Sequence, residues 1–205
     1  MTTYSKTAES FRCDECNAEM AFPLFCDACG TDYPERRGMS AFGVLGLPIT
    51  FDIDPATLEQ RELLLVQRLH PDRWQGRGDR LHKRALMAQS AANVALGRIS
   101  DPFVRAETLL DLQEVEVPSA TLPTPFLLEQ LEVQEEIEAP LEPARRRELK
   151  KAVRASLAGL QAQLAEAWTR VEGGDSTALI TVRDAVDRSR YWRNAERALR
   201  GQAPS

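Results

Sequence analysis

The chain has 205 residues, enough for one ordinary domain or two small ones, so a third unit has to be short and held by something besides an apolar core. Its 43% hydrophobic and 28% charged residues exclude a disordered chain. A net charge of -5 argues against electrostatic binding of nucleic acid, and the apolar runs are too short to cross a membrane. Since Met1–Lys6 also contains no apolar signal core, we expect a cytosolic protein with packed structure throughout.

The first 37 residues contain all four cysteines, as two C-x2-C pairs with nine residues between them. Each pair places two thiolates on one tight turn, and two such turns supply a tetrahedral donor set for zinc. The predicted ligands are Cys13, Cys16, Cys26 and Cys29. A redox role, iron binding and two disulfides are the alternatives, but disulfides require an oxidising compartment and zinc is favoured over iron. Because the segment has few large apolar residues, the ion is expected to be structural.

Helical patterning extends from Met39 to about Leu112. Asp54 is predicted to cap a helix that has Pro55 at its first position and that ends before Pro71. The glycine-containing stretch from Trp74 to Arg80 is predicted to be an exposed loop. A third helix is predicted to run through Leu81, Leu86, Ser90, Val94 and Gly97, and Asp101-Pro102 to open a fourth.

His70, Pro71 and Asp72 lie between the second and third of these helices. A histidine near a helix end is more often a cap or a surface residue than a functional one. A catalytic His-Asp pair would need a nucleophile or a binding cavity, and the intervening proline points the side chains outward. We therefore predict no catalytic residue and no enzyme activity.

A proline-rich linker from Val117 to Pro125 precedes three predicted helices. They cover Pro125 to Ala139, Pro143 to Val171 and Asp175 to Leu199. Apolar residues recur at helical spacing in each helix, and the connections are short. This pattern favours an antiparallel three-helix bundle.

The first helix after the linker has two apolar stripes. At 100° per residue, Phe126, Gln130, Val133 and Ile137 share one side, while Leu127, Leu128 and Leu131 gather on nearly the opposite side. The first stripe is the expected core face. The leucines, edged by Glu132 and Glu135, form either a docking surface or a packing face against another part of the chain.

The segment from Ala41 to Leu112 resembles a J-domain, the module that stimulates ATP hydrolysis by chaperones of the DnaK type. The invariant tripeptide of that family corresponds to His70-Pro71-Asp72, with Arg73 where many members have lysine. The family also uses a basic face on the preceding helix, for which this chain offers Arg61 and Arg68. The resemblance implies that these residues contact the chaperone.

The region from Ala41 to about Leu199 is similar to the HscB-type, or Jac-type, co-chaperones of iron-sulfur cluster assembly. The similarity is carried by three stretches: residues 42–48, 100–110 and 126–138. It implies that Leu127, Leu128, Leu131, Glu132 and Glu135, together with the aromatic Tyr191, bind an IscU-type scaffold. Ala139 replaces a further acid of the family pattern, which predicts a reduced acidic contact.

The predicted fold is mainly α, in three parts: a metal-stapled knuckle module at residues 1–37, a helical-hairpin J-domain at 38–116, and a C-terminal three-helix bundle at 117–205. The predicted function is that of a co-chaperone that joins an IscU-type scaffold to a DnaK/HscA-type ATPase chaperone, with Zn²⁺ as structural ion and no nucleic-acid or membrane partner. The alternatives are a general J-domain protein that holds unfolded clients and a zinc-dependent nucleic-acid-binding adaptor.

Overall fold

A computed structural model describes residues 11–113, 117–119 and 121–201. The chain divides into two compact units, Met1–Leu109 and Leu110–Ser205. The extreme N-terminus and the predicted domain boundary at residue 116 lie outside the described residues, and the three-part division stays a prediction. No helix in the described ranges is long and apolar enough to span a membrane.

The cysteine module, which we define as residues 11–37, opens the first unit with a small hairpin. Strand β1 (Phe11–Arg12) pairs antiparallel with β2 (Glu19–Met20), so that Phe11 lies opposite Met20. An isolated bridge joins Phe25 and Asp32. Three large apolar side chains of the segment are fully covered: Phe22, Leu24 and Phe25 are each at most 1% exposed. The module therefore has a real apolar interior besides its cysteines.

One helix-start signal predicted from the sequence, at Asp54, is confirmed in the helices that follow. Helix α1 (Ala41–Leu45) is capped by the Ser40 hydroxyl and ends at Gly46 in the left-handed conformation. In α2 (Pro55–Leu69), the Asp54 carboxylate accepts a hydrogen bond from the amide of Ala56, and the helix ends before Pro71 as predicted.

A single 3-10 turn, Pro71–Trp74, connects α2 to α3 (Asp79–Ser100). The expectation of an exposed loop is wrong at Trp74, which is 1% exposed, although residues 75–80 are exposed. The predicted third helix is confirmed as α3, and Leu86 and Val94, two of the residues that it was predicted to contain, face solvent. The buried face of α3 is instead made of small residues: Ala85, Ala88, Ala92 and Ala95, followed by Ile99.

Helix α4 (Pro102–Asp111) begins as predicted, because the Asp101 carboxylate accepts hydrogen bonds from the amides of Phe103 and Val104. Arg105 is buried, and its guanidinium donates to the carbonyl of Phe51 at 3.1 Å. This bond joins α4 to the segment that precedes α2.

The second unit consists of α5 (Thr124–Glu138), α6 (Pro143–Glu172) and α7 (Ala178–Leu199). Helices α6 and α7 pack along each other, and α5 packs against α7. The two long helices share an apolar core that includes Val153, Leu160, Leu164, Trp168, Val182, Val186 and Leu199. The predicted mainly α fold with a C-terminal helical bundle is confirmed.

Candidate functional site

The two cysteine pairs form two turns of the same construction. In the first, the amide of Asn17 donates to the carbonyl of Cys13 at 2.9 Å, and Asn17 has a φ of 56°. In the second, the amide of Gly30 donates to the carbonyl of Cys26 at 2.8 Å, and Gly30 has a φ of 82°. Each turn directs both of its thiols to the same side.

The four sulfurs, none of which is in a disulfide, all lie within 4.8 Å of one another. The Sγ atoms of Cys13 and Cys29 are 3.5 Å apart, and those of Cys16 and Cys26 are 3.7 Å apart. A zinc ion with Zn–S bonds of 2.3 Å requires sulfurs about 3.8 Å apart at tetrahedral corners. The sequence prediction of a metal site is thus supported, and an S₄ set of this kind suits either zinc or iron.

Two hydroxyl groups that the sequence analysis did not single out contact the sulfurs. The Tyr33 hydroxyl donates to Cys13 Sγ at 3.3 Å and accepts the Asp14 amide at 2.8 Å. Thr31 Oγ1 lies 3.1 Å from Cys29 Sγ. A signal for both was available, since they follow the second pair within four residues.

These contacts and burial move the thiol pKa values in opposite directions. The hydrogen bond from Tyr33 lowers the pKa of Cys13 to about 6, and the Thr31 hydroxyl lowers that of Cys29. Burial raises the pKa of Cys26 to about 12 and that of Tyr33 to about 12. Cys13 is therefore the ligand best prepared to bind a cation as a thiolate near neutral pH.

The His-Pro-Asp loop, His70–Asp72, presents its two polar side chains to solvent. His70 Nδ1 accepts the backbone amide of Asp72 at 3.3 Å and lies 3.6 Å from the Asp72 carboxylate. The side chains of His70 and Asp72 are 43% and 67% exposed. Arg73, the next residue, donates back to the carbonyl of Gln67 at the end of α2.

The two basic residues predicted on α2 both contact the cysteine module. Arg61 donates to the carbonyl of Ala21 at 3.3 Å, and burial lowers its pKa. Arg68 forms an ion pair with Asp27 at 3.0 Å. Sequence reasoning missed this arrangement, because nothing local connects residues about forty positions apart.

On α5, the leucines predicted as a second stripe are exposed: Leu127 by 41%, Leu128 by 55% and Leu131 by 55%. We call these three residues the leucine face. Phe126 and Gln130, on the other side of the helix, are buried. Glu132 and Glu135 are exposed beside the leucines.

Tyr191 of α7 lies next to the buried side of α5. Its ring meets that of Phe126 edge to face, with the ring centroids 5.7 Å apart, and the side chain stays 41% exposed. Ala139 ends α5 in an extended conformation. The structure thus brings an aromatic ring from α7 close to the helix that carries the leucine face.

Comparison with known families gives one match in the C-terminal part of the chain. Residues 122–200 match the HSCB C-terminal oligomerisation domain. This range contains the whole of α5, α6 and α7.

Curated relatives include the co-chaperone protein HscB of Proteus mirabilis, 35% identical over 103 residues, which are 49% of this chain and 60% of that protein. The HscB homolog of Vibrio cholerae is 38% identical over 104 residues, which are 49% of this chain and 61% of that protein. The aligned part thus spans about 60% of the length of these relatives.

Two solved structures are similar in fold. The crystal structure of human co-chaperone protein HscB has a TM-score of 0.71 at 21% identity and covers 93% of this chain and 97% of that one. Chaperone HscB from Vibrio cholerae has a TM-score of 0.64 at 28% identity and covers 80% of this chain and 96% of that one. Residues 122–200 thus match the HSCB C-terminal domain, and the chain is similar to HscB-type co-chaperones in sequence and in fold.

Proposed function

We propose that the protein binds an IscU-type iron-sulfur scaffold through the leucine face and stimulates the ATPase of a DnaK/HscA-type chaperone through the His-Pro-Asp loop. The observation that carries the proposal is the leucine face: three neighbouring leucines are exposed on a helix whose other side is already buried. The chain then aids cluster assembly and transfer by bringing cargo and ATPase together.

The leucine face suits a protein partner because it is apolar in the middle and acidic at its edge. Leu127, Leu128 and Leu131 supply apolar area, while Glu132 and Glu135 can pair with basic side chains of the scaffold. Tyr191 adds an aromatic ring of the type enriched in protein interfaces. The absence of an acid at Ala139 leaves binding mostly to the leucines.

Scaffold binding is tested by Leu127→Ser combined with Leu131→Ser. Because each leucine loses more than about 1.4 kcal/mol of apolar burial, we expect binding to weaken by about 100-fold or more. Calorimetry with purified IscU-type scaffold measures the affinity, and circular dichroism checks that the fold is intact.

The matched control is Ile180→Ser, since Ile180 is 68% exposed on α7. It removes a comparable apolar group away from α5 and should leave the affinity unchanged. Unchanged binding in the double variant would contradict the proposal, and binding to many denatured proteins would favour a general client holder instead.

The His-Pro-Asp loop is proposed to act on the chaperone by allosteric coupling, so no residue of this chain makes or breaks bonds. The exposed side chains of His70 and Asp72 carry this role. Arg73 is proposed to contribute charge beside the loop, and Arg61 and Arg68 to contribute it from α2. Pro71 is proposed to hold the turn.

The loop is tested by His70→Gln in a steady-state ATPase assay with a DnaK/HscA-type chaperone. The unaltered chain should raise the rate, and the variant should abolish the rise. His82→Gln is the control, because His82 is the second of the two histidines of the chain. A full rate increase with His70→Gln would refute the proposed mechanism.

The four cysteines are proposed to hold one structural Zn²⁺, which cross-links the two turns and leaves no open coordination position. Elemental analysis of protein purified without added metal identifies the ion. One zinc per chain supports the assignment, whereas one iron with visible thiolate-to-iron absorption would replace it.

A further inference from the structure

The His-Pro-Asp loop is anchored on its C-terminal side by Trp74. This residue closes the 3-10 turn that contains Asp72, and it is 1% exposed, whereas the next six residues are all exposed. On the N-terminal side, the loop is anchored by Leu69, which is also 1% exposed. Trp74 is thus the buried side chain nearest to Asp72 on the way to α3.

The cysteine module contributes two of the contacts that bury Trp74. The ring of Phe25 meets the indole edge to face, with the centroids 4.9 Å apart and the planes at 89°. A Cβ placed on Gly30 would lie 3.2 Å from Trp74 Cζ3 and 2.6 Å from Leu81 Cδ1. Only a glycine allows this backbone to approach the indole and α3 so closely.

Both contacts come from neighbours of metal ligands. Phe25 directly precedes Cys26, and Gly30 directly follows Cys29, so the two residues flank the second cysteine turn. The amide of Gly30 also donates to the carbonyl of Cys26. A metal ion that fixes Cys26 and Cys29 therefore fixes the surface on which Trp74 rests.

Ion pairs align the same turn with the helices. Asp27, which lies between Cys26 and Cys29, has a side chain only 8% exposed and pairs with Arg68 of α2 at 3.0 Å. Asp32, just after the turn, lies 4.0 Å from the guanidinium of Arg84 on α3. The second cysteine turn is thus held to both helices that flank the loop.

We propose that Trp74 is a positioning residue for the His-Pro-Asp loop and that the metal-loaded second cysteine turn holds Trp74 in place, so that metal occupancy sets how well the chain stimulates its chaperone. The inference rests on the proposed function of the loop. The metal acts at a distance, through Phe25 and Gly30, and it contacts neither the loop nor the chaperone.

The test compares four samples of the full-length protein. Two are the unaltered chain, one loaded with metal and one depleted of metal by a chelator in the presence of a reducing agent. The other two are the metal-loaded variants Phe25→Ala and Phe11→Ala. Phe11 is the matched control because it packs on the interior of the cysteine module around Cys13, Met20 and Tyr33. Elemental analysis confirms one metal ion per chain in both variants. If Phe25→Ala loses its metal, the milder Phe25→Leu replaces it.

Two measurements are made on each sample. Hydrogen exchange with mass spectrometry follows the amides of residues 70–78, and an ATPase assay gives the concentration of co-chaperone for half-maximal stimulation. Phe25→Ala and metal depletion should each increase the exchange rate in residues 70–78 by a factor between about two and ten. This factor corresponds to the interaction free energy of one edge-to-face aromatic pair. The half-maximal concentration should rise by a similar factor, and Phe11→Ala should change neither.

Unchanged exchange in Phe25→Ala and in the metal-depleted chain would overturn the inference, and so would an equal effect of Phe11→Ala. The proposed function fails in a different way. If the unaltered, metal-loaded chain does not raise the ATPase rate at all, the loop has no such role, whatever the exchange data show.

Discussion

At the scale of single residues, the hydroxyl groups around the cysteines decide how well the site competes with protons. Metal binding needs thiolates, so a thiol with a low pKa keeps its ion to lower pH. The hydrogen bond from Tyr33 lowers the pKa of Cys13 to about 6, from an ordinary value of 9.0. Tyr33 is itself buried, so its ring also packs in the module.

Tyr33→Phe should therefore make the protein release its metal at higher pH. The substitution keeps the buried ring but removes the hydroxyl that donates to Cys13, so the pKa of this thiol moves back up and protons displace the metal earlier during acidification. The metal that each variant retains is measured after dialysis between about pH 4 and pH 8, a range that brackets the lowered pKa of Cys13. Tyr191→Phe, which removes a hydroxyl from the second unit, is the control; coincident release curves would contradict the prediction.

At the scale of elements, α5 and α6 use leucine for different purposes. Leu164 of α6 is fully buried between α6 and α7, whereas Leu128 of α5 is 55% exposed. The helical periodicity of the sequence places both on apolar stripes and does not distinguish them. The packing of the helices distinguishes the two leucines, because α7 covers one side of α5 and leaves the other side open.

Leu164→Ala should lower the free energy of unfolding of the second unit by about 2 to 5 kcal/mol, since it leaves a cavity in a packed core. Leu128→Ala should change it by less than about 0.5 kcal/mol. Urea unfolding followed by circular dichroism measures both. A large loss of stability in Leu128→Ala would mean that the leucine face is structural, and it would weaken the proposed docking role.

On helix α3, burial does not follow the size or the hydrophobicity of the side chains. Its larger side chains, such as Leu86 and Val94, are exposed, while its alanines are buried. Small side chains let α3 approach α1 and α2 closely, and the hydrophobic ranking of residues does not contain this preference. The exposed apolar side chains of α3 are then left on the surface without an assigned role.

At the scale of the whole molecule, the division into two units makes metal dependence local. The cysteine module belongs to the unit Met1–Leu109, in which its apolar residues and ion pairs join α2 and α3. The unit Leu110–Ser205 contains none of the predicted ligands. Local unfolding of a protein usually takes place in compact, cooperative units of this kind.

Metal removal should therefore destabilise the first unit and leave the second intact. We expect a chelator to increase exchange in α2 and α3, while the amides of α6 and α7 keep their protection. Hydrogen exchange with and without the metal measures the protection of both units in one experiment. Equal loss of protection in both units would show that they open together.

The amino-acid sequence by itself determined the features that depend on near neighbours. Asp54-Pro55 and Asp101-Pro102 start helices because a carboxylate two or three residues away satisfies free amides, and each C-x2-C pair forms a turn within five residues. The resemblance in sequence added the similarity to HscB-type co-chaperones. Only the tertiary structure decided that Arg68 pairs with Asp27, 41 residues earlier, that Trp74 is buried against Phe25, and that the leucine face stays open. These contacts depend on which surfaces meet after the helices pack, and local chain chemistry does not specify that choice.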